Sequence, residues 1–205
     1  MESRELEVAG ARVFTPEVFR DDRGLFVSPF QSEAFVRTTG RPLFPVAQTS
    51  CSFSRRGVVR GVHFTRTPPG MAKYVYCVRG KALDIVVDLR LGSPTFGRWD
   101  AVVLDPVDFR AVYFPVGVGH AFVALQDDTA MAYTLSLGYD PDNELALSLF
   151  DPELGLPLPG DIRPIVSERD RVAPTLARAR DTGLLPDYEE CLKLEDALTA
   201  PRAGA

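Results

Sequence analysis

Leu83-Asp84-Ile85-Val86-Val87-Asp88-Leu89 decides the fold. Leu83, Ile85, Val87 and Leu89 alternate with Asp84, Val86 and Asp88, a period of two that places the leucine set on one face of a strand. Outward from it, from about Arg12 to Leu149, the chain is a succession of short runs rich in Val, Phe, Tyr and Ile, parted by Gly and Pro. Helical periodicity is nearly absent there. Further strands are predicted at Leu25–Phe30, Phe44–Phe53, Val58–Phe64, Lys73–Val78, Trp99–Leu104, Arg110–Phe114, Ala121–Leu125 and Ala130–Leu137. So many strands in that span predict an all-β protein, a jelly roll or related double sheet.

After Asp151 the texture changes. Pro152, Pro157, Pro159 and Pro164 describe an extended, turn-rich crossing. Pro174–Arg180 and Pro186–Leu198 then each open with proline and continue with good helix formers, as two short helices would. About fifty residues with few large apolar groups make a marginal core alone, so residues from about 151 to 200 are expected to cover the β core of about 12–150. One domain over 1–205 is the expectation.

Composition narrows the function. With 45% hydrophobic and 25% charged residues the chain is an ordinary folded domain. The balance of 23 basic against 28 acidic residues gives −5, a field that repels a phosphate backbone, so no nucleic-acid partner is expected. Cys51, Cys77 and Cys191 have no paired spacing, which fits a reducing cytosol. Glu2, Arg4, Glu5 and Glu7 replace the apolar centre of a signal peptide. The apolar stretch from Ala111 to Leu125 is broken by Pro115, glycines and His120, so no membrane span is expected.

The chain has two histidines, His63 and His120, each in a strand context beside glycine. The plain reading of either is a partly buried imidazole satisfied by its neighbours; the glycines favour close approach by a ligand or another backbone. Pro115-x-Gly117-x-x-His120 resembles the second motif of the cupin superfamily, whose jelly roll commonly holds a metal through several imidazoles. A metal is not expected here, because Thr65 stands where the first motif's second histidine would be. Without one, His63 can serve as a general base, its ordinary pKa lying near neutrality. Tyr74, Tyr76, Tyr113, Tyr133 and Tyr139 are candidate acids among which spacing does not choose. Arg55, Arg56, Arg60 and Arg66 are either a solvated loop face or a cradle for a diphosphate, which suits arginine's planar fork.

An ordered series of motifs then runs through the chain: Asp22-Arg23-Gly24-Leu25-Phe26, Gln48-Thr49-Ser50, Gly57 to Phe64, Lys73 with Gly80, Val87-Asp88-Leu89-Arg90, Ser93 to Gly97, Pro115 to Phe122, Tyr133, Tyr139, Glu144 and Ser167-x-Arg169-Asp170. From about Phe14 to Pro174 the chain resembles the dTDP-4-dehydrorhamnose 3,5-epimerases, a cupin-like enzyme family that works without a cofactor. The resemblance implies an epimerase of a dTDP-4-keto-6-deoxyhexose. His63 matches the base, Asp170 the carboxylate that orients it, Tyr133 the acid, and Lys73 a cation near the developing enolate oxygen. Arg23, Gln48, Arg60, His120, Glu144 and Arg169 match contacts to the nucleotide sugar, and Phe26 and Tyr139 match aromatics stacked on thymine. A homodimer that exchanges N-terminal strands is implied as well.

Arg60 and His63 are an odd number of residues apart, so a regular pleat sends them to opposite faces. A bulge at Gly61, or a place for Arg60 beyond the strand edge, is required. Ser28, Ser50, Thr65, Ala121 and Leu158-Pro159 depart from the residues usual in the family, and altered polar groups there change which ring substituents are accepted. The departures resemble epimerases of antibiotic deoxysugar pathways, such as those of vancosamine type, and lean the reading towards C5. A nucleotide-sugar-binding jelly roll without chemistry and a cupin isomerase are the alternatives.

Overall fold

The computed structural model describes residues 1–199; residues 200–205, counted in the one-domain expectation, lie outside the described residues. The chain opens with strands β1 (Glu2–Glu5), β2 (Arg12–Thr15), β3 (Val18–Asp21) and β4 (Gly24–Val27), followed by helix α1 (Ser32–Thr39). Next come β5 (Gln48–Ser54), β6 (Val59–Thr65), β7 (Lys73–Arg79), β8 (Ala82–Asp88) and β9 (Trp99–Leu104). Strands β10 (Ala111–Phe114), β11 (Val118–Ala124), β12 (Thr129–Leu135) and β13 (Glu144–Ala146) complete the β region. The short helices α2 (Glu168–Arg171), α3 (Leu176–Asp181) and α4 (Tyr188–Thr199) follow. No helix among the described residues is long and apolar enough to cross a membrane.

Two antiparallel sheets face each other. One has the order β1-β2-β10-β7-β12-β5 and the other β13-β6-β11-β8-β9, while β3 and β4 form a separate hairpin. This is a cupin-like jelly roll. Between the sheets lies a core of Val75, Cys77, Val86, Val102, Phe114, Phe122 and Met131. The period-two segment in β8 therefore faces two ways. Val86 points between the sheets, whereas Ile85, Val87 and Leu89 point outward and pack with Leu147, Leu149, Leu154, Ile162, Leu176 and Leu185 of the C-terminal region. The proline-rich crossing and α3 thus cover the back of the five-stranded sheet.

The carboxylates of β8 share the inward face with Val86, and each has a buried basic partner. Asp88 accepts from Arg90 Nε at 2.8 Å, Ser93 Oγ at 2.6 Å and Thr95 Oγ1 at 2.5 Å. Burial pushes its carboxyl up, but Arg90 and the two hydroxyls outweigh this and hold it below the ordinary carboxylate value. Arg90 also donates to Ala9 O at 2.7 Å. Val87-Asp88-Leu89-Arg90 and Ser93-Pro94-Thr95 are accordingly fastenings of the N-terminal segment to the sheet.

Observed strands follow the predicted ones closely where apolar alternation is clear, and depart elsewhere. The predicted Phe44–Phe53 begins only at Gln48, because Pro45 interrupts it and Phe44 instead fills an aromatic cluster with Phe14, Phe35, Tyr74 and Tyr113. Strands β1, β2, β3 and β13 and helices α1 and α2 are additions to the reading from sequence.

Candidate active site

His63 stands on β6 because that strand kinks. His63 pairs with His120 of β11 and Arg60 with Phe122, so three steps along β6 match two along β11. The extra residue falls at Gly61, whose φ of +120° suits glycine, and a Cβ there would meet His120 O at 2.5 Å and Ala121 Cα at 2.6 Å. The parity problem is solved by this bulge. Val59 and Val62 both point into the outer core, while Arg60 and His63 both line the inner cavity.

That cavity, of about 270 Å³, lies between the sheets. From the five-stranded sheet it receives Arg60, His63, His120, Phe122 and Glu144; from the six-stranded sheet, Gln48, Ser50, Lys73, Tyr133 and Leu135. The two walls thus carry different chemistry. On one side are two imidazoles, each tied to a carboxylate. On the other are a phenol and an ammonium.

His63 Nε2 lies 2.7 Å from Asp170 Oδ1. Burial raises the Asp170 carboxyl, and the hydrogen bond and charge of His63, with Ser167 and the Gly61 backbone, more than reverse this and hold it below the ordinary value. An ionised carboxylate only accepts, so when His63 is neutral its proton sits on Nε2 and the Nδ1 lone pair is free. Asp170 arrives there through backbone contacts. Val59 N donates to Ile165 O at 2.9 Å and Ile165 N to Gly57 O at 2.8 Å, laying the crossing alongside the start of β6. The one-turn helix α2 follows, its Ser167 Oγ accepting from Asp170 N at 3.1 Å.

His120 repeats the arrangement. Its Nε2 lies 2.6 Å from Asp84 Oδ1, with both residues buried. Asp84 escapes a reading of the sequence as a site residue; its signal is a carboxylate in a strand whose other inward carboxylate, Asp88, is taken up by Arg90.

Of the five candidate acids, Tyr133 and Tyr139 line the cavity, whereas Tyr74, Tyr76 and Tyr113 lie on the opposite face of the sheet among the aromatics packed with α1. Burial raises the Tyr133 phenol above its ordinary value, only partly offset by its hydrogen bond with Ser52 Oγ at 3.2 Å, so the hydroxyl keeps its proton at neutral pH. Lys73 is 7% exposed. Burial pulls its pKa down, the nearby Glu144 charge pushes it up and Arg169 pulls it down further. Glu144 is held by Thr65 Oγ1 at 2.6 Å. Gln48 accepts from Tyr139 N at 2.8 Å and donates to Ser50 Oγ at 2.9 Å, which links the aromatic loop to β5.

Arg169 does not line this cavity. It borders a neighbouring cleft with Arg60, His63, Ser167 and Asp170, so Arg60 and His63 form the wall shared by the two spaces. Arg55, Arg56 and Arg66 are exposed and reach neither. Arg23 and Phe26 sit on the β3–β4 hairpin in a separate hollow, Arg23 paired with Asp21, and within one chain they are not brought to the histidines. Phe19, Leu25 and Phe26 are all exposed.

A cupin-like jelly roll with an imidazole–carboxylate pair and a phenol facing one cavity has the architecture of an acid–base isomerase. The chain belongs to the dTDP-4-dehydrorhamnose 3,5-epimerase family, which residues 5–178 match. A dTDP-4-dehydrorhamnose 3,5-epimerase of Mycolicibacterium smegmatis is 46% identical over 198 residues, covering 97% of each chain. Among solved structures, a 4-keto-6-deoxy sugar epimerase from the novobiocin biosynthetic gene cluster of Streptomyces spheroides matches with a TM-score of 0.89 at 48% identity, covering 93% of this chain and 95% of that one. A 3'-monoepimerase from Streptomyces bikiniensis, in complex with dTDP-quinovose, matches with a TM-score of 0.90 at 45% identity, covering 95% and 98%.

The bulge makes a testable demand. Gly61→Ala is expected to destabilise the fold by on the order of 2 kcal/mol or more, because the methyl meets backbone that has nowhere to retreat and φ is positive. Denaturant unfolding measures it; a Gly61→Ala protein as stable as the parent contradicts the placement of the bulge.

Proposed function

We propose that this protein inverts a carbon next to the C4 ketone of a dTDP-4-keto-6-deoxyhexose, with His63 as base and Tyr133 as acid. The observation that carries the reading is that the two groups enter one cavity from opposing sheets, β6 and β12, which is the disposition that inversion of a ring carbon needs. A site that only bound the sugar would have no use for a base and an acid on facing walls.

The steps follow from the residues. His63 Nδ1 takes the proton from C3 or C5, and the C–H electron pair becomes the double bond of an enolate with its charge on O4. Asp170 holds the ring by Nε2 and stabilises the imidazolium, as the third member of a hydrolytic triad does. Lys73 meets the charge that develops on O4, where a buried cation is worth more than in water. Tyr133 then delivers its proton to the opposite face of the carbon as the C4 ketone reforms. A positioned acid or base contributes roughly 10²–10⁴-fold.

For the nucleotide, Arg60 and Arg169, facing the shared cleft, take the diphosphate with planar guanidinium forks. Gln48, His120 and Glu144 serve the sugar, and Tyr139 the base. Arg23 and Phe26 complete the nucleotide end from the second copy of a homodimer, which gives the exposed apolar hairpin a partner. The protein works in the cytosol on this reading, with neither nucleic acid nor membrane as a partner and no cofactor. Among the described residues no group of three or more His, Cys, Asp or Glu side chains is placed to hold a metal ion. We place the inversion at C3, C5 or both. The sequence leans to C5, whereas one relative reported above is named a 3'-monoepimerase and another a 3,5-epimerase, and a place in an antibiotic deoxysugar route accords with the novobiocin-cluster relative.

Incubation with dTDP-4-dehydro-6-deoxyglucose in D₂O is expected to place deuterium at an inverted C3 or C5, and its position identifies the carbon. His63→Ala is expected to lower exchange at least 10²-fold, and Tyr133→Phe to keep exchange while inversion falls on the order of 10²-fold. Absence of label with the parent protein contradicts epimerisation, and full inversion by either variant removes that residue from its role. Sedimentation is expected to return a dimer in which Arg23→Ala weakens dTDP binding; a monomer with unimpaired sugar turnover contradicts the shared site.

A further inference from the structure

The inner face of β5 is a row of small polar side chains, Gln48, Ser50, Ser52 and Ser54, at every second position. Each secures a group on or beside the cavity. Ser50 accepts from Gln48, Ser54 Oγ lies 3.4 Å from Arg60 Nε, and Ser52 Oγ lies 3.2 Å from the Tyr133 hydroxyl. Ser50 is the direct cross-strand partner of Tyr133 and Ser52 that of Met131, so Ser52 reaches Tyr133 on the diagonal, where a long side chain extends. The resemblance to the epimerases gives Ser52 no role.

We propose that Ser52 is the positioning residue for Tyr133, holding the phenol on its wall and donating to the phenolate that remains once the proton has gone to carbon. The inference rests on the reading of Tyr133 as the acid. In that step the phenol O–H bond breaks, the enolate electron pair forms the new C–H bond, the C4 carbonyl is restored and the charge stays on the Tyr133 oxygen until water reprotonates it. The tyrosine is enclosed by the core between the sheets and by the His120 ring, whose centre is 6.0 Å away. An unaided phenolate there is costly. A hydroxyl can accept before the transfer and donate after it, and a hydrogen bond to a charged oxygen is roughly twice as strong as one between neutral groups. Ser52 therefore contributes more after the proton leaves than before, and its effect falls on reprotonation and leaves the abstraction by His63 unchanged.

The test compares the parent, Ser52→Ala, Ser52→Thr and Tyr133→Phe in D₂O with dTDP-4-dehydro-6-deoxyglucose, following deuterium uptake into substrate of retained configuration separately from inverted product. Ser52→Ala is expected to keep uptake within about twofold and to lose inversion on the order of tenfold to a hundredfold, as removal of a hydrogen bond to a charged group does. Ser52→Thr, which restores a hydroxyl, is expected to recover inversion to within a few fold. Equal loss of uptake and inversion in Ser52→Ala marks a merely structural residue and overturns the inference, as does inversion at the parent rate or a threonine that fails to rescue. Full inversion by Tyr133→Phe sinks the acid assignment itself and the inference with it, whereas a Tyr133→Phe defect with an unaffected Ser52→Ala sinks only the role of Ser52.

Discussion

The hydrogen bond from His63 Nε2 to Asp170 Oδ1, 2.7 Å long, is the constraint on which the site depends. It joins residues 107 apart in sequence and requires two unrelated pieces of backbone to be correct at once. The β6 bulge at Gly61 turns His63 inward, and the Ile165 bridge with the Ser167 cap brings Asp170 up to it. The bond selects the tautomer in which Nδ1 is basic. Without it the imidazole has no fixed direction in the cavity between the sheets.

The jelly roll serves that bond by giving the cavity two independent walls. Alternation along each strand fills the outer cores and the core between the sheets with apolar side chains, and beside that inner core it brings polar groups to the cavity: His63 and His120 from one sheet, Lys73 and Tyr133 from the other. The buried Asp88–Arg90 cluster and the leucine-rich back of β8 keep the five-stranded sheet in place from both sides. Polar groups so enclosed are consequential. Burial keeps the Tyr133 proton on and loosens the Lys73 proton, while the Glu144 charge works to keep Lys73 an ammonium.

Much of this was legible in the residues because strand chemistry is local. The β8 alternation and the Trp99–Leu104 strand stand as read, and the parity of Arg60 and His63 demands a bulge or an edge position for Arg60, of which the bulge is present. Segments whose structure depends on distant partners were not legible. Strand β1 is entirely exposed and has no apolar period; it exists because β2 offers an edge. Helix α1 buries only Ala34 and Phe35 and has no side-chain cap at Gln31, so its pattern is too thin to read. In the site, the contact of Asp170 with His63 is implied only by the resemblance, since nothing local connects residues 107 apart. The partners of Asp84 and Ser52 are not legible in sequence, because a buried carboxylate and one serine among several declare them only when strands are in register.

The tautomer of His63 tests the account most directly. Nitrogen-15 chemical shifts of the labelled protein distinguish the two nitrogens of a neutral imidazole. The proton of neutral His63 is expected on Nε2 with Nδ1 bare, and Asp170→Asn is expected to lose that preference. A neutral His63 protonated on Nδ1, or one whose nitrogens ignore the substitution, contradicts it.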